Sequence, residues 1–166
     1  PNIPSEEVFT TPHNLKVNGY VRSTKPLSYQ GTLIEDIAVT FKEGVIIEAS
    51  AAKGEEVFIK LLDTDEGARR LGEVALVPHG SPISQTNLLF YNTLFDENAA
   101  CHIALGQCYS KCFKNGVELT NEEIIKRGGN SSMIHVDWMI GSDSMNIDGL
   151  NKAGNTTPVF RNGEWA

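Results

Sequence analysis

No run of 18 or more consecutive apolar residues occurs in this chain, which removes a membrane-spanning helix from consideration. No basic n-region followed by an apolar h-region opens it, so no export signal is read, and the expected compartment is the cytoplasm. Basic residues are scarce as well. Lys plus Arg number 14 against 21 Asp plus Glu, a net charge of −7 with no polybasic tract, so nucleic acid is not an expected partner. There are three cysteines, Cys101, Cys108 and Cys112, an odd number clustered in one segment and matching no common zinc knuckle. They read as reduced thiols packed as small apolar residues, not as a disulfide framework. An initiating methionine is missing too: the chain opens at Pro1 and runs into Ser5-Glu-Glu7. It is therefore expected to be a fragment of a longer protein.

What is present suits one globular domain. The 166 residues carry 40% hydrophobic side chains, enough to bury a core, and no repeat or Pro/Gly/Ser-rich linker divides them. Tyr20-Val-Arg22, Thr32 to Phe41 and Val45 to Ala49 read as strands of an antiparallel meander, with a turn at Lys42-Glu-Gly44. From Gly54 to about Arg70 the period changes. Val57, Phe58, Leu61 and Leu62 oppose Glu55, Glu56, Lys60 and Asp63, which predicts one amphipathic helix or two short ones. Glu73 to Val77 is a short strand ended by Pro78, and Gly80-Ser-Pro82 is a loop, whereas Leu88 to Tyr109 is ambiguous by period. Asn121 to Lys126 reads as a helix capped by Thr120 or Asn121. Ile147-Asp-Gly149 and Arg161-Asn-Gly163 read as tight turns in a terminal β region. The expected class is α+β: a mostly antiparallel sheet or partial barrel with a few packed helices.

With so few histidines, the surroundings of each are informative. His135 and Asp137 stand two apart in Met133-Ile-His-Val-Asp-Trp-Met-Ile140, a predicted strand. Side chains alternate along a strand, so these two project from one face and leave Ile134, Val136, Trp138 and Ile140 as an apolar face. An imidazole beside a carboxylate suits zinc, cobalt or manganese, and equally suits a hydrogen-bonded structural pair. His102 follows Asp96, Glu97 and Asn98, whereas His13 and His79 adjoin prolines in loop-like sequence and are expected at the surface. Glu73 enters an apolar strand, where a carboxylate is costly unless it is paired, protonated or metal-bound. Glu7, Glu73, Glu97, His102, His135 and Asp137 together make six oxygen and nitrogen donors from separate segments. That is about what a two-metal hydrolase needs, although composition alone does not select these six from the other acids.

Four longer blocks narrow the choice. Asn2-Ile-Pro-Ser-Glu-Glu-Val-Phe-Thr-Thr-Pro12, Asp65-Glu-Gly-Ala-Arg69 with Leu71-Gly-Glu-Val-Ala-Leu-Val-Pro78, Leu89 to Gly106, and His135-Val-Asp-Trp-Met-Ile-Gly-Ser142 closely resemble the thermophilic aminopeptidase family, the aminopeptidases S and T. The resemblance spans the whole chain and implies a C-terminal, metal-binding catalytic domain over residues 1–166, with an N-terminal domain absent. It implies that Glu7, Glu73, His102, His135 and Asp137 are metal ligands and that Glu73 bridges two ions. Glu97 is implied as a further ligand or a base, and Tyr109 resembles the family's catalytic tyrosine, an oxyanion donor. The family usually has a small apolar residue where this chain has Gln107-Cys108.

The activity implied is hydrolysis of the first peptide bond of peptides with a free N-terminus by water activated between two divalent ions, with Glu6 or Glu97 as general base. Zinc or cobalt is expected, with manganese or magnesium also compatible with such ligands. The resemblance further implies a homodimer at full length. A dinuclear phosphoesterase is the competing enzyme reading, but Arg69, Arg70, Lys111 and Arg127 form no recognised phosphate motif. A catalytically incomplete structural or interaction fragment is the third.

Overall fold

Frequent turn residues cut the chain into short strands, and a computed structural model describes residues 5–166 of it. Pro1 to Pro4, including the start of the block that opens at Asn2, lie outside the described residues. In chain order the strands before the first helix are β1 (Val8–Thr10), β2 (Gly19–Arg22), β3 (Leu27–Tyr29), β4 (Thr32–Ile34), β5 (Ala38–Lys42) and β6 (Val45–Ser50). Then come α1 (Glu55–Leu62), β7 (Leu71–Leu76), α2 (Pro82–Thr86), α3 (Thr93–Asp96), β8 (His102–Gly106) and α4 (Asn121–Lys126). β9 (His135–Met139), β10 (Ile147–Leu150), β11 (Thr156–Arg161) and β12 (Glu164–Trp165) complete it. The class is α+β, as expected. The strands form four antiparallel sheets: β1-β7-β8-β9, β2-β5-β6, β10-β11-β12 and the hairpin β3-β4. None is closed into a barrel among the described residues.

The core forms where the first sheet's apolar face meets the meander and α1. Ile103, Leu105, Val136 and Trp138 from β8 and β9 join Val39, Phe41, Ile46, Leu27, Ile34, Phe58, Leu61 and Leu62, and Ile134 and Ile140 pack against them. This confirms the apolar face read from alternation along β9. Trp138 is fully buried, and its indole N–H has no hydrogen-bond partner among the described residues. Trp138→Ala is expected to cost about 3–5 kcal/mol in urea unfolding. Trp138→Phe is expected to cost clearly less, because it removes a buried donor along with the volume.

Three local expectations are corrected. Thr32 to Phe41 is not one strand: Asp36 takes a left-handed backbone (φ 53°) and breaks it into β4 and β5. Pro82 is not loop but the first residue of α2, where its missing N–H costs nothing, and the Ser81 side chain caps that helix. Ile147-Asp-Gly149 is not a turn but part of β10, paired with β11. Arg161-Asn-Gly163 does reverse the chain, with Asn162 and Gly163 both at positive φ.

The Gly54 to Arg70 region divides as the second alternative anticipated. α1 ends at Leu62 with Asp63 as its C-cap, and a single 3-10 turn follows over Glu66–Arg69. Asp65 caps that turn by accepting from the Ala68 N–H at 2.9 Å. It also accepts from the Ser132 hydroxyl and from the Met133 N–H at 2.6 Å. Burial pushes this carboxyl up, but these hydrogen bonds outweigh it and hold the group below its ordinary value. One side chain thereby ties the approach to β7 to the approach to β9. α4 carries the full reciprocal cap between Thr120 and Glu123.

Candidate metal centre

Strand register brings the donors together. Across the first sheet, Phe9 of β1 faces Ala75, Ala75 faces His102, and His102 faces Met139. In the next row Glu73 pairs with Ala104 and Ala104 with Asp137; beyond it Gly106 pairs with His135. All of these positions lie on the face opposite the apolar core. Ala104 stands between Glu73 and Asp137, and its single methyl leaves room for the two carboxylates to converge. Gly106 is required for a different reason. Its φ is +97°, and a Cβ there would meet the Ile134 carbonyl oxygen at 2.2 Å.

The expected strand from Glu73 begins two residues earlier, at Leu71. Glu73 therefore lies inside the strand and is only 3% exposed. Its two oxygens address different histidines: Oε1 lies 3.9 Å from His102 Nε2 and Oε2 lies 3.3 Å from His135 Nε2. Glu7 Oε2 lies 3.0 Å from His102 Nε2, and Asp137 Oδ1 lies 3.5 Å from His135 Nε2. Two donor groups result, Glu7–Glu73–His102 and Glu73–His135–Asp137, each with its donor atoms within 4.8 Å of one another. Glu73 belongs to both.

Backbone carbonyls aim the two imidazoles. His102 Nδ1 lies 3.1 Å from the Ala100 carbonyl oxygen, and His135 Nδ1 lies 2.6 Å from that of Gln107. A carbonyl can only accept, so each Nδ1 carries the hydrogen. In its neutral form each ring would turn the lone pair of Nε2 toward the carboxylates, the arrangement that metal-ligating histidines use.

The description "Thermophilic metalloprotease (M29)" matches residues 1–165. The chain belongs to that family. It is 60% identical over 166 residues to Aminopeptidase 2 of Geobacillus stearothermophilus, covering all of this chain and 40% of the relative. It is 56% identical over 165 residues to Aminopeptidase T of Thermus thermophilus, covering 99% of this chain and again 40% of that protein. A solved structure titled wild-type AmpT from Thermus thermophilus superposes with a TM-score of 0.94 at 56% identity, over 99% of this chain and 40% of that one. The chain thus spans about two fifths of the length of these relatives.

Membership of the thermophilic metalloproteases implies divalent metal, and the donors of this M29 chain fit it. Glu7 Oε2 and His102 Nε2 are buried 3.0 Å apart; they pair when the ring is protonated, but with a neutral ring neither has a hydrogen-bond partner among the described residues. Buried polar atoms left without hydrogen bonds are costly, and a shared cation would satisfy both. Burial disfavours a charged His135, but Asp137 and Glu73 outweigh it and raise its pKa to about 10. His102 is raised to about 8 against its own burial by Glu7 and Asp137. Without metal the cluster therefore holds protons where cations would sit.

The remaining expected residues divide. Glu97, 8% exposed, is raised to about 8 by burial and by the charges of Asp137, Glu7 and Glu73. It is in the field of the cluster but in neither donor group. Tyr109 is half-exposed, its ring centroid 4.7 Å from that of His135, and burial with the nearby carboxylates pushes its phenol up to about 12. Glu6 is also in neither group; its backbone N–H donates to Asn98 Oδ1 at 2.8 Å. As adjacent residues of an extended segment, Glu6 and Glu7 point apart.

Sequence reasoning passed over Asn98, which is fully buried and anchors the segment bearing Glu7, and Phe9, whose ring packs at a tilt against Tyr109 with centroids 5.5 Å apart. Period two from Glu7 was the available signal for Phe9. The three cysteines are free, Cys101 and Cys108 buried, and His13 is exposed as expected. His79 is only half-buried, because its Cβ packs on the Gly163 turn. A cavity of about 530 Å³ lined by His13, Arg70 and Asn130 among others shares no residue with the cluster. No helix is long and apolar enough to cross a membrane among the described residues.

Proposed function

We propose that this chain is the C-terminal catalytic domain of a metalloaminopeptidase, releasing the first residue of peptides with a free N-terminus. The observation that supports it best is Glu73, whose two oxygens address His102 and His135 in two overlapping donor groups. In this reading Glu7, Glu73 and His102 hold one divalent ion and Glu73, His135 and Asp137 the other, zinc or cobalt before manganese or magnesium. Such a pair of ions supplies Lewis acidity toward water and the scissile carbonyl.

The chain's own groups do the rest. Glu97, buried in the field of the cluster with its pKa raised to about 8, takes a proton on its carboxylate and returns it to the leaving amine, the base role that Glu6, pointing away from Glu7, is less well placed to fill. Tyr109 keeps its proton at working pH and donates it in a hydrogen bond to the oxyanion. The acidic surroundings favour the substrate's α-ammonium group and so restrict cleavage to the chain end. The family resemblance supports a homodimer at full length, and a cytoplasmic setting is part of the same proposal. A phosphoesterase is less well supported, because among the described residues the ion pairs of Glu7, Glu73 and Asp137 are all with histidine, and no Arg or Lys pairs with the cluster there.

The test is Tyr109→Phe in the metal-loaded protein. On an aminoacyl p-nitroanilide it is expected to lower kcat by about 10²–10³-fold, as loss of one oxyanion donor does, with metal content retained. Equal rates for the variant and the parent would remove Tyr109 from the mechanism. Cleavage of phosphate esters but not of aminoacyl amides would replace the reading altogether.

A further inference from the structure

Phe9 is an exposed apolar residue that shares a face of the first sheet with the donor cluster. β1 is an edge strand of the sheet, and its register places Phe9 opposite Ala75, which in turn faces His102. Val8 and Thr10 pair with Leu76 and Val74 and point the other way. Glu7 precedes Phe9 by two residues, so donor and ring project together. Phe9 keeps 42% of its surface open and Tyr109 keeps 45%. Their rings meet at 5.5 Å and 59°, and Tyr109 leans in turn on His135 at 4.7 Å. An aromatic wall thus runs from the sheet edge to the imidazole of one donor group. Glu73 and Asp137 project from the same face of the sheet.

We infer that Phe9, backed by Tyr109, contacts the side chain of the substrate's first residue and selects apolar, leucine-like residues over small or acidic ones. The inference rests on the aminopeptidase reading for what arrives at the site. Two physical terms set the selection. An aliphatic or aromatic side chain laid on the exposed ring faces removes apolar surface from water on both partners. An acidic side chain would gain nothing from the rings and would give up its hydration to lie against them. Alanine is too short to cover the wall and forfeits the first term.

The experiment uses the whole metal-loaded protein with Phe9→Ala and Phe9→Leu, leucyl and alanyl p-nitroanilides, and calorimetric binding of free leucine, alanine and aspartate. Because Phe9 is half-exposed on an edge strand, both variants are expected to fold and to keep the parent's metal content. In the parent, leucine binds more tightly than alanine or aspartate. Phe9→Ala is expected to lower kcat/KM for the leucyl substrate about tenfold more than for the alanyl one, the scale of a few methylenes in an apolar pocket, and Phe9→Leu to recover most of it. An equal loss on both substrates, or a parent that binds leucine no better than alanine, overturns the inference. If the parent cleaves neither substrate but its preference for bound leucine disappears in Phe9→Ala, the wall stands and the peptidase reading falls.

Discussion

Glu73→Ala is expected to leave the protein with almost no bound divalent ion, where the parent retains about two per chain after zinc or cobalt loading and desalting. The reason is its shared position. Other ligands belong to one donor group, but Glu73 belongs to both, so its loss leaves Glu7 with His102 and Asp137 with His135 as two separate pairs. Two donors do not make a retained site. Affinity should drop by more than the roughly 10–100-fold that changes in residues merely supporting a ligand produce. Glu6→Ala is the control, since that carboxylate is in neither group and should leave the metal content intact. Elemental analysis of the three proteins decides. Two ions in Glu73→Ala would falsify the bridging assignment, and one ion would mean that a single donor group survives without it. If the alanine variant misfolds, Glu73→Gln keeps the side chain's shape and asks the same question.

Raising the pH is expected to destabilise the metal-free protein and to leave the loaded protein nearly unaffected. Both histidines have folded-state pKa values above their ordinary 6.5, His102 at about 8 and His135 at about 10. Each therefore contributes stability that is complete below pH 6.5 and lost as pH rises through its folded value. Glu97 acts in the same direction. Its carboxyl is raised from 4.5 to about 8, so the folded state binds a proton that the unfolded state releases, and that stability fades between those values. Between pH 6.5 and 8 all three losses overlap, and His135 continues toward 10. We expect the metal-free Tm to fall by at least about 5 °C from pH 7 to 9, a shift that a kcal/mol or two produces in a domain of this size. Zinc or cobalt replaces the protons, so it should restore the Tm most at the alkaline end. Calorimetry in two buffers of different ionisation enthalpy should show proton release on metal uptake at pH 7. A metal-free Tm that rises with pH would mean that the histidines are not the proton holders.

How much of this was readable in the chain depends on how local each cause is. The α+β class, the split helical region, the Thr120 cap and the apolar face of β9 follow from period, capping chemistry and side-chain alternation over a few residues. His135 and Asp137 are legible as a pair for the same reason, because two residues on one strand share a face whatever surrounds them. The misread elements failed locally too. Asp36 breaks a strand through a left-handed backbone that an Asp tolerates but does not announce, and Pro82 serves a helix start as readily as a loop.

The family's blocks were in the sequence as well, and they named Glu7, Glu73 and His102 without explaining why these three should meet. Only the sheet order β1-β7-β8-β9 does that. It sets strands more than 60 residues apart in sequence side by side and aligns Glu73, Ala104 and Asp137 in one row. The pKa values of His102, His135 and Glu97, the buried Glu7–His102 pair, and the aromatic wall at Phe9 all arise from that crowding. The sequence by itself determined which donors exist and which face of its own strand each one takes, because both are properties of a few adjacent residues. Tertiary structure alone decided which donors converge and how strongly they perturb one another, because register between distant strands and loss of water around charges exist only once the sheet has formed.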